Sequence, residues 1–180
     1  SGEALEITHK VKAVILDKTG TVTEGKPKVT DLISEGLSEE ELLLLAASCE
    51  VPSEHPLGQA IVEGAKARGL KLREVAEFQS LTGKGIQAVY DGKQVFIGNL
   101  RMVEEQHLEL GSYQKQAEML AEQGQTPMFV IVEHRILGIV SVADTVKETS
   151  KEAIDKIRSM GVKVYMLTGD NQRTAAYIGR

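Results

Sequence analysis

The sequence predicts an α/β protein in two parts: a parallel α/β unit built from both ends of the chain, and between them an inserted α+β module with an antiparallel sheet. Three observations predict this. Two short apolar runs, Ala13 to Leu16 and Val162 to Leu167, each stop at a polar turn, the pattern of strands buried on both faces. Helical spacing of Ala153, Ile154 and Ile157 leads directly into the second run, which makes half of an α/β unit. Asp91-Gly92, set between the β-rich runs Ile86 to Tyr90 and Lys93 to Ile97, is a strong hairpin signal and belongs to antiparallel structure.

The elements follow in order. After the first strand, Asp17-Lys18-Thr19-Gly20-Thr21 forms its turn. Ser38 and Glu41 are spaced as a capping box ahead of a helix with inner face Leu42, Leu45, Ala46 and Cys49. A second helix runs from Pro56 to about Arg68, with Pro at its start, Gly69 beyond it, and Leu57, Ala60, Ile61 and Ala65 on one face. The Asp-Gly hairpin comes next, then a helix over Tyr113 to Glu122. Met128 to Val132 pairs with Ile136 to Val140 through the turn Glu133-His134-Arg135. Thr149 and Glu152 form a capping-box pair for the last helix, between Ser150 and Met160, and Gly161 sits where a helix stops. The expected division is 1–23 and 141–180 for the parallel unit, with 24–140 as the inserted module.

Composition narrows the function. The chain has 180 residues, 42% of them hydrophobic and 26% charged, as in an ordinary globular protein. With a net charge of -5 and 4% aromatic residues, it offers neither a basic footprint nor a stacking platform, so nucleic acid is not an expected partner. Its one cysteine, Cys49, excludes an internal disulfide framework and a multi-cysteine metal site, which suits the cytosol. Leu42 to Ala47 and Ile136 to Val140, the longest apolar stretches, fall far short of the ~18–20 residues that cross a bilayer.

Asp17 ends a buried strand and is followed by hydroxyls and backbone N–H groups that can surround an anion. Such a carboxylate either starts a turn or acts as a nucleophile that forms an acyl-phosphate. Thr168-Gly169-Asp170 favours the nucleophile, because it brings a second hydroxyl and a second carboxylate to the end of a second parallel strand. Two such loops suit phosphoryl transfer with magnesium. Two phosphate-binding patterns fail. Gly20 to Lys26 reads as a P-loop until Pro27 stands where the magnesium-binding hydroxyl belongs. Gly83-Lys84-Gly85 precedes a strand rather than a helix, so it is no dinucleotide fingerprint, although its bare backbone lets a flat ligand or a phosphate approach closely. Taken singly, His55 and Glu50 are more often surface or structural residues than functional ones, Cys49 reads as core, and Glu39 to Glu41 as a solvated helix start.

Together these residues resemble a family. Asp17-Lys18-Thr19-Gly20-Thr21 resembles the phosphorylation motif of P-type ATPases, and Thr168-Gly169-Asp170 their second phosphorylation-domain motif. Ser53-Glu54-His55-Pro56, Gly83-x-Gly85 and Gly98-Asn99 resemble the nucleotide-binding domain of the heavy-metal-transporting subclass, most of all its copper(I) pumps. The resemblance covers Val11 to Arg180. It implies a haloacid-dehalogenase-like phosphorylation domain interrupted by a nucleotide-binding domain, at the cytosolic face of a membrane. By it, Asp17 attacks the γ-phosphate of ATP, Lys18 and Asp170 complete the catalytic motifs, and Thr168 holds the phosphate. The Thr19 carbonyl and the Asp17 carboxylate bind Mg2+. His55 packs on the adenine, Glu50 hydrogen-bonds the base, and Gly83, Gly85 and Asn99 complete the ATP pocket. Asp144 matches the position where the chain re-enters the phosphorylation domain.

The resemblance also implies partners: ATP, the membrane and actuator domains of the same pump, and a soluble metal chaperone acting through the parent protein. The alternative is a soluble phosphatase of the same superfamily. Those enzymes place an Asp as general acid/base where this sequence has Thr19, and Thr cannot do that work at neutral pH, so the phosphoenzyme is expected to persist. The sequence carries no later Gly-Asp-Gly-x-Asn-Asp magnesium motif, no transmembrane helix and no intramembrane Cys-Pro motif. The expectation is a piece of a longer pump that binds ATP without full turnover.

Overall fold

In the computed structural model, which describes residues 13–17 and 23–167, the chain builds two sheets. The elements are β1 (Ala13–Asp17), β2 (Thr23–Ile33), α1 (Glu39–Glu50), α2 (Pro56–Ala67), β3 (Ala76–Leu81), β4 (Gly85–Tyr90), β5 (Lys93–Gly98), α3 (Leu100–Glu105), α4 (Tyr113–Glu122), β6 (Thr126–Val132), β7 (Arg135–Val146), α5 (Glu148–Ser159) and β8 (Lys163–Leu167). β1 and β8 pair in parallel, Ala13 opposite Lys163 and Asp17 opposite Leu167. The other six strands form an antiparallel sheet in the order β2-β7-β6-β5-β4-β3. A parallel strand pair and an antiparallel sheet are both expected from the sequence, but β7 carries the antiparallel pairing on to Val146 opposite Thr23, beyond the expected change at residue 140.

The antiparallel sheet is covered on both faces. On one, α1 and α2 bury Leu42, Leu43, Ala46, Ile61 and Ala65 against Ile97, Val130 and Val140. On the other, Met102, Val103, Tyr113 and Leu120 from α3 and α4 meet Phe129, Ile131 and Ile139. Coverage of both faces explains why β6 is continuously apolar from Met128 to Val132 instead of alternating.

Local signals act as their chemistry dictates. The Ser38 hydroxyl caps α1 by accepting from the Glu41 N–H at 3.1 Å and donates to the Glu41 carboxylate at 3.2 Å. The β4–β5 hairpin turns on Asp91 (φ 51°) and Gly92 (φ 76°), the left-handed pair that a two-residue turn requires. α4 coincides with the expected span. The β6–β7 turn is shorter than expected: only Glu133 and His134 make it, with φ of 48° and 64°, while Arg135 already pairs with Val132.

Four expectations need correction. α5 begins at Glu148 with Lys147 as its N-cap and no side-chain cap bond, so Thr149 and Glu152 do not form a capping box. β1 and β8 are not buried on both faces: α5 packs over Val14, Leu16, Val162 and Val164, whereas Ile15 is 70% and Tyr165 51% exposed. A two-stranded sheet with one helix on it has one covered side. β2 and β3 were not expected because each carries strand-breaking features, Gly25 and Pro27 in β2 and a left-handed Glu77 in β3. Both are edge strands with register shifts, where such residues are tolerated. α3, six residues long, is too short to leave a periodicity.

Candidate functional site

A cleft of about 790 Å³ opens between the α1–α2 elbow and the turn that joins β3 to β4, floored by Phe78, Thr126 and Met128. Glu50, His55, Gly83, Gly85 and Asn99, spread over half a hundred residues of sequence, all line it.

The elbow wall is made of side chains. α1 ends at Glu50, whose carbonyl accepts from the Ser53 N–H at 2.9 Å to close the turn. The Ser53 hydroxyl accepts from the His55 N–H at 3.2 Å. His55 is the N-cap of α2: its Nδ1 accepts from the Leu57 N–H at 3.1 Å, which leaves Nε2 to carry the ring proton. Pro56 follows at the first helical turn, where its missing N–H costs nothing. Glu50 is 4% exposed, and burial pushes its carboxyl up to about 7 against the lowering effect of a side-chain hydrogen bond with Ser53. The next residue back, Cys49, is buried core, its thiol pushed up to about 12 by burial and by the Glu50 charge.

The opposite wall is made of backbone. The Lys84 N–H donates to the Leu81 carbonyl at 2.9 Å and turns the chain through Gly83 (φ 75°) into Gly85 (φ 149°). A Cβ on Gly85 would lie 2.0 Å from the Ile97 carbonyl oxygen, and one on Gly98, its ladder partner, 2.3 Å from the Lys84 carbonyl oxygen. Neither position admits a side chain. Asn99 ties the wall together: Nδ2 donates to the Gly83 carbonyl at 2.8 Å, its N–H to the Lys84 carbonyl at 2.9 Å, and Oδ1 accepts from the Met102 N–H at 3.3 Å to cap α3. At the rim, the Lys84 ammonium pairs with Glu105 at 2.7 Å.

Asp17 stands at the carboxyl end of β1, opposite Leu167 at the end of β8. Lys18, Thr19, Thr168 and Asp170 lie outside the described residues. Asp144 sits in β7 opposite Pro27 of β2. Sequence reasoning quoted Ser53 within its motif without giving it a role, and missed Gly58 as a cleft residue. Gly58 carried a signal, a glycine inside a helix, which costs stability without a reason to be there. Phe78, Thr126 and Met128 carried none, because only the assembled sheet brings β3 and β6 to the floor. Among the described residues no three His, Cys, Asp or Glu side chains converge as a cation site, and no helix is long and apolar enough to cross a membrane.

An apolar floor, a buried carboxyl, an imidazole and a bare glycine turn together suit a flat ring that presents an amino donor, with a polar tail leaving past Lys84. Comparison with known proteins gives the family. Residues 11–180 match the family model of haloacid dehalogenase-like hydrolases. The chain is 44% identical over 180 residues to a copper-exporting P-type ATPase of Bacillus subtilis, covering 99% of this chain and 22% of that protein. It therefore spans about a fifth of the length of such relatives. Its fold is similar to a zinc-transporting PIB-type ATPase in the E2.Pi state, with TM-score 0.82 and 38% identity over 93% of this chain and 27% of that one. It is also similar to the N-domain of HMA8, a copper-transporting P-type ATPase, with TM-score 0.56 and 29% identity over 66% of this chain and 99% of that one.

Proposed function

Since the chain belongs to the haloacid dehalogenase-like hydrolases, we propose that it is the ATP-binding and phosphorylation segment of a metal-transporting P-type ATPase, working at the cytosolic face of a membrane with copper as the cargo. The observation that carries this reading is the convergence of Glu50, His55, Gly83, Gly85 and Asn99 on one cleft of about 790 Å³, within the range of small-molecule sites. Copper is supported by the name of the Bacillus relative.

The residues divide the work. The His55 ring packs on the adenine, the Glu50 carboxyl meets its amino edge, and the glycine turn lets the nucleotide lie against the backbone. Lys84 at the rim faces the phosphates. Asp17 is the acceptor of the γ-phosphoryl group: its carboxylate oxygen bonds to phosphorus as the bond to the ADP leaving oxygen breaks, giving an aspartyl-phosphate and ADP. Lys18, Thr168 and Asp170 serve that transfer. Magnesium, when bound through Asp17 and Thr19, supplies charge neutralisation on the phosphoryl oxygens. Thr19 provides no general base at neutral pH, which favours a persistent phosphoenzyme over a soluble phosphatase.

Calorimetric titration with ATP tests the pocket. His55→Asn keeps an N-cap side chain but removes the ring, so ATP affinity should fall about tenfold while the melting temperature holds. Unchanged affinity would overturn the assigned site.

A further inference from the structure

Glu50 is a charged-type side chain nine-tenths and more buried, and two small residues account for its position. Gly58 faces it from α2: a Cβ there would lie 2.7 Å from the Glu50 Oε1 and 2.8 Å from the Ser53 Oγ. The space a side chain would fill holds the carboxyl group and the hydroxyl instead. Ser53 faces both neighbours: its hydroxyl lies beside the Glu50 carboxyl and lowers its pKa, and it accepts from the His55 N–H at 3.2 Å. Through Ser53 the carboxyl is thus joined to the residue that caps α2. All four residues line the cleft.

We propose that Ser53 is a positioning residue, seated in the space left by Gly58, that holds the Glu50 carboxylate toward the cleft and thereby sets its preference for a base bearing an amino donor over one bearing a carbonyl. The inference rests on the nucleotide reading and deepens it. An ionised carboxylate accepts from an exocyclic amino group and repels a carbonyl oxygen at the same place, whereas a protonated carboxyl donates to that carbonyl. A hydroxyl that donates to the carboxylate favours the ionised form, so removing it shifts selection as well as position. Other titratable groups around the carboxyl are Cys49 on its own helix, Glu54 and His55 in the elbow, and Lys84 across the cleft.

The test compares ATP with inosine triphosphate, which differs in bearing a carbonyl in place of the amino group, by titration from pH 6 to pH 9. In the unaltered chain, discrimination in favour of ATP should rise as pH passes about 7, where Glu50 ionises. Ser53→Ala should lower the ATP-to-inosine triphosphate affinity ratio at pH 8 by roughly tenfold, the size of one charge-assisted hydrogen bond. It should also move the midpoint of the pH profile upward. Ser53→Thr, which keeps the hydroxyl, should restore both. Gly58→Ala should also lower the ratio, because its methyl would displace the Glu50 Oε1 and the Ser53 Oγ and press on the Ser53 Cβ at 3.0 Å. If the unaltered chain binds ATP selectively and Ser53→Ala leaves ratio and midpoint unchanged, the positioning role is overturned and the nucleotide reading stands. Failure of the unaltered chain to bind ATP overturns both.

Discussion

The two walls of the cleft are built from different materials. On the elbow side, Glu50, Ser53 and His55 present side chains, each held by a hydrogen bond to its neighbour. On the other side, Gly83 and Gly85 present backbone, pinned by Asn99 and by the ladder that pairs Gly85 with Gly98. The difference teaches which wall can be varied. Side-chain chemistry tolerates substitution at a cost in recognition, since a flexible tip can move. Backbone packed at Cβ-excluding distance does not, because the obstacle is another carbonyl in the same sheet. On the proposed reading, one wall therefore governs what is recognised and the other governs whether the cleft exists.

The largest expected effect breaks the backbone wall. Gly85→Ala places a methyl 2.0 Å from the Ile97 carbonyl oxygen at a φ of 149°, where L side chains are strained. Neither relief is available, because Ile97 is fully buried and its neighbours are locked in the ladder. Destabilisation should exceed about 4 kcal/mol, measured by urea unfolding of the altered chain against the unaltered one. A loss under about 1 kcal/mol would mean that β4 can slide away from β5, and the contrast between the walls would collapse.

The next effect comes from the side-chain wall and has the opposite sign. Glu50 titrates near 7 when folded and near 4.5 when unfolded, so between those values the folded state binds the extra proton. Its contribution to stability is therefore full below about pH 4.5, falls as pH rises, and levels off above about 7. Glu50→Gln removes the dependence. Relative to the unaltered chain it should gain on the order of 3 kcal/mol at pH 8 and nothing at pH 4, while its ATP affinity falls. Thermal unfolding at the two pH values, paired with titration, checks both halves. A loss of stability at pH 8 would show that the carboxylate is held by attraction rather than tolerated for recognition.

The two walls also differ in how far the sequence reveals them. Residues whose role is local are legible: Ser38 as a cap, Asp91-Gly92 as a left-handed turn, and His55-Pro56 as a helix start each act within a few residues of themselves. Gly83 and Gly85 announce a bare backbone, yet the reason for Gly85 is a carbonyl twelve residues away, brought near by strand pairing. Edge strands conceal themselves, since Gly25 and Pro27 look like loop residues until the sheet order shows that β2 has a free side. Burial of β1 was overestimated for a related reason. An apolar run such as Ala13 to Leu16 signals a strand, but how many faces are covered depends on what packs there, and α5 covers one. Of the proposed phosphoryl-transfer site, the described structure gives one element, the pairing of Asp17 with Leu167 at the ends of β1 and β8.

The smallest effect tests whether Asn99 belongs to the backbone wall or merely borders it. Its two amide atoms do separate jobs: Oδ1 caps α3 and Nδ2 holds the Gly83 carbonyl. Asn99→Asp keeps an acceptor for the Met102 N–H, and a carboxylate at a helix N-terminus is favoured, so the cap survives. The donor to Gly83 is lost, and a negative oxygen now faces that carbonyl at hydrogen-bonding distance. Stability should change by less than about 1 kcal/mol, whereas Asn99→Ala, losing both bonds, should cost about 1–2 kcal/mol. If the turn is positioned by Asn99, both variants weaken ATP binding severalfold by calorimetry despite their different stabilities. If ATP affinity instead follows stability, with Asp near the unaltered chain and Ala below it, the glycines and the ladder hold the wall unaided, and Asn99 acts only through α3.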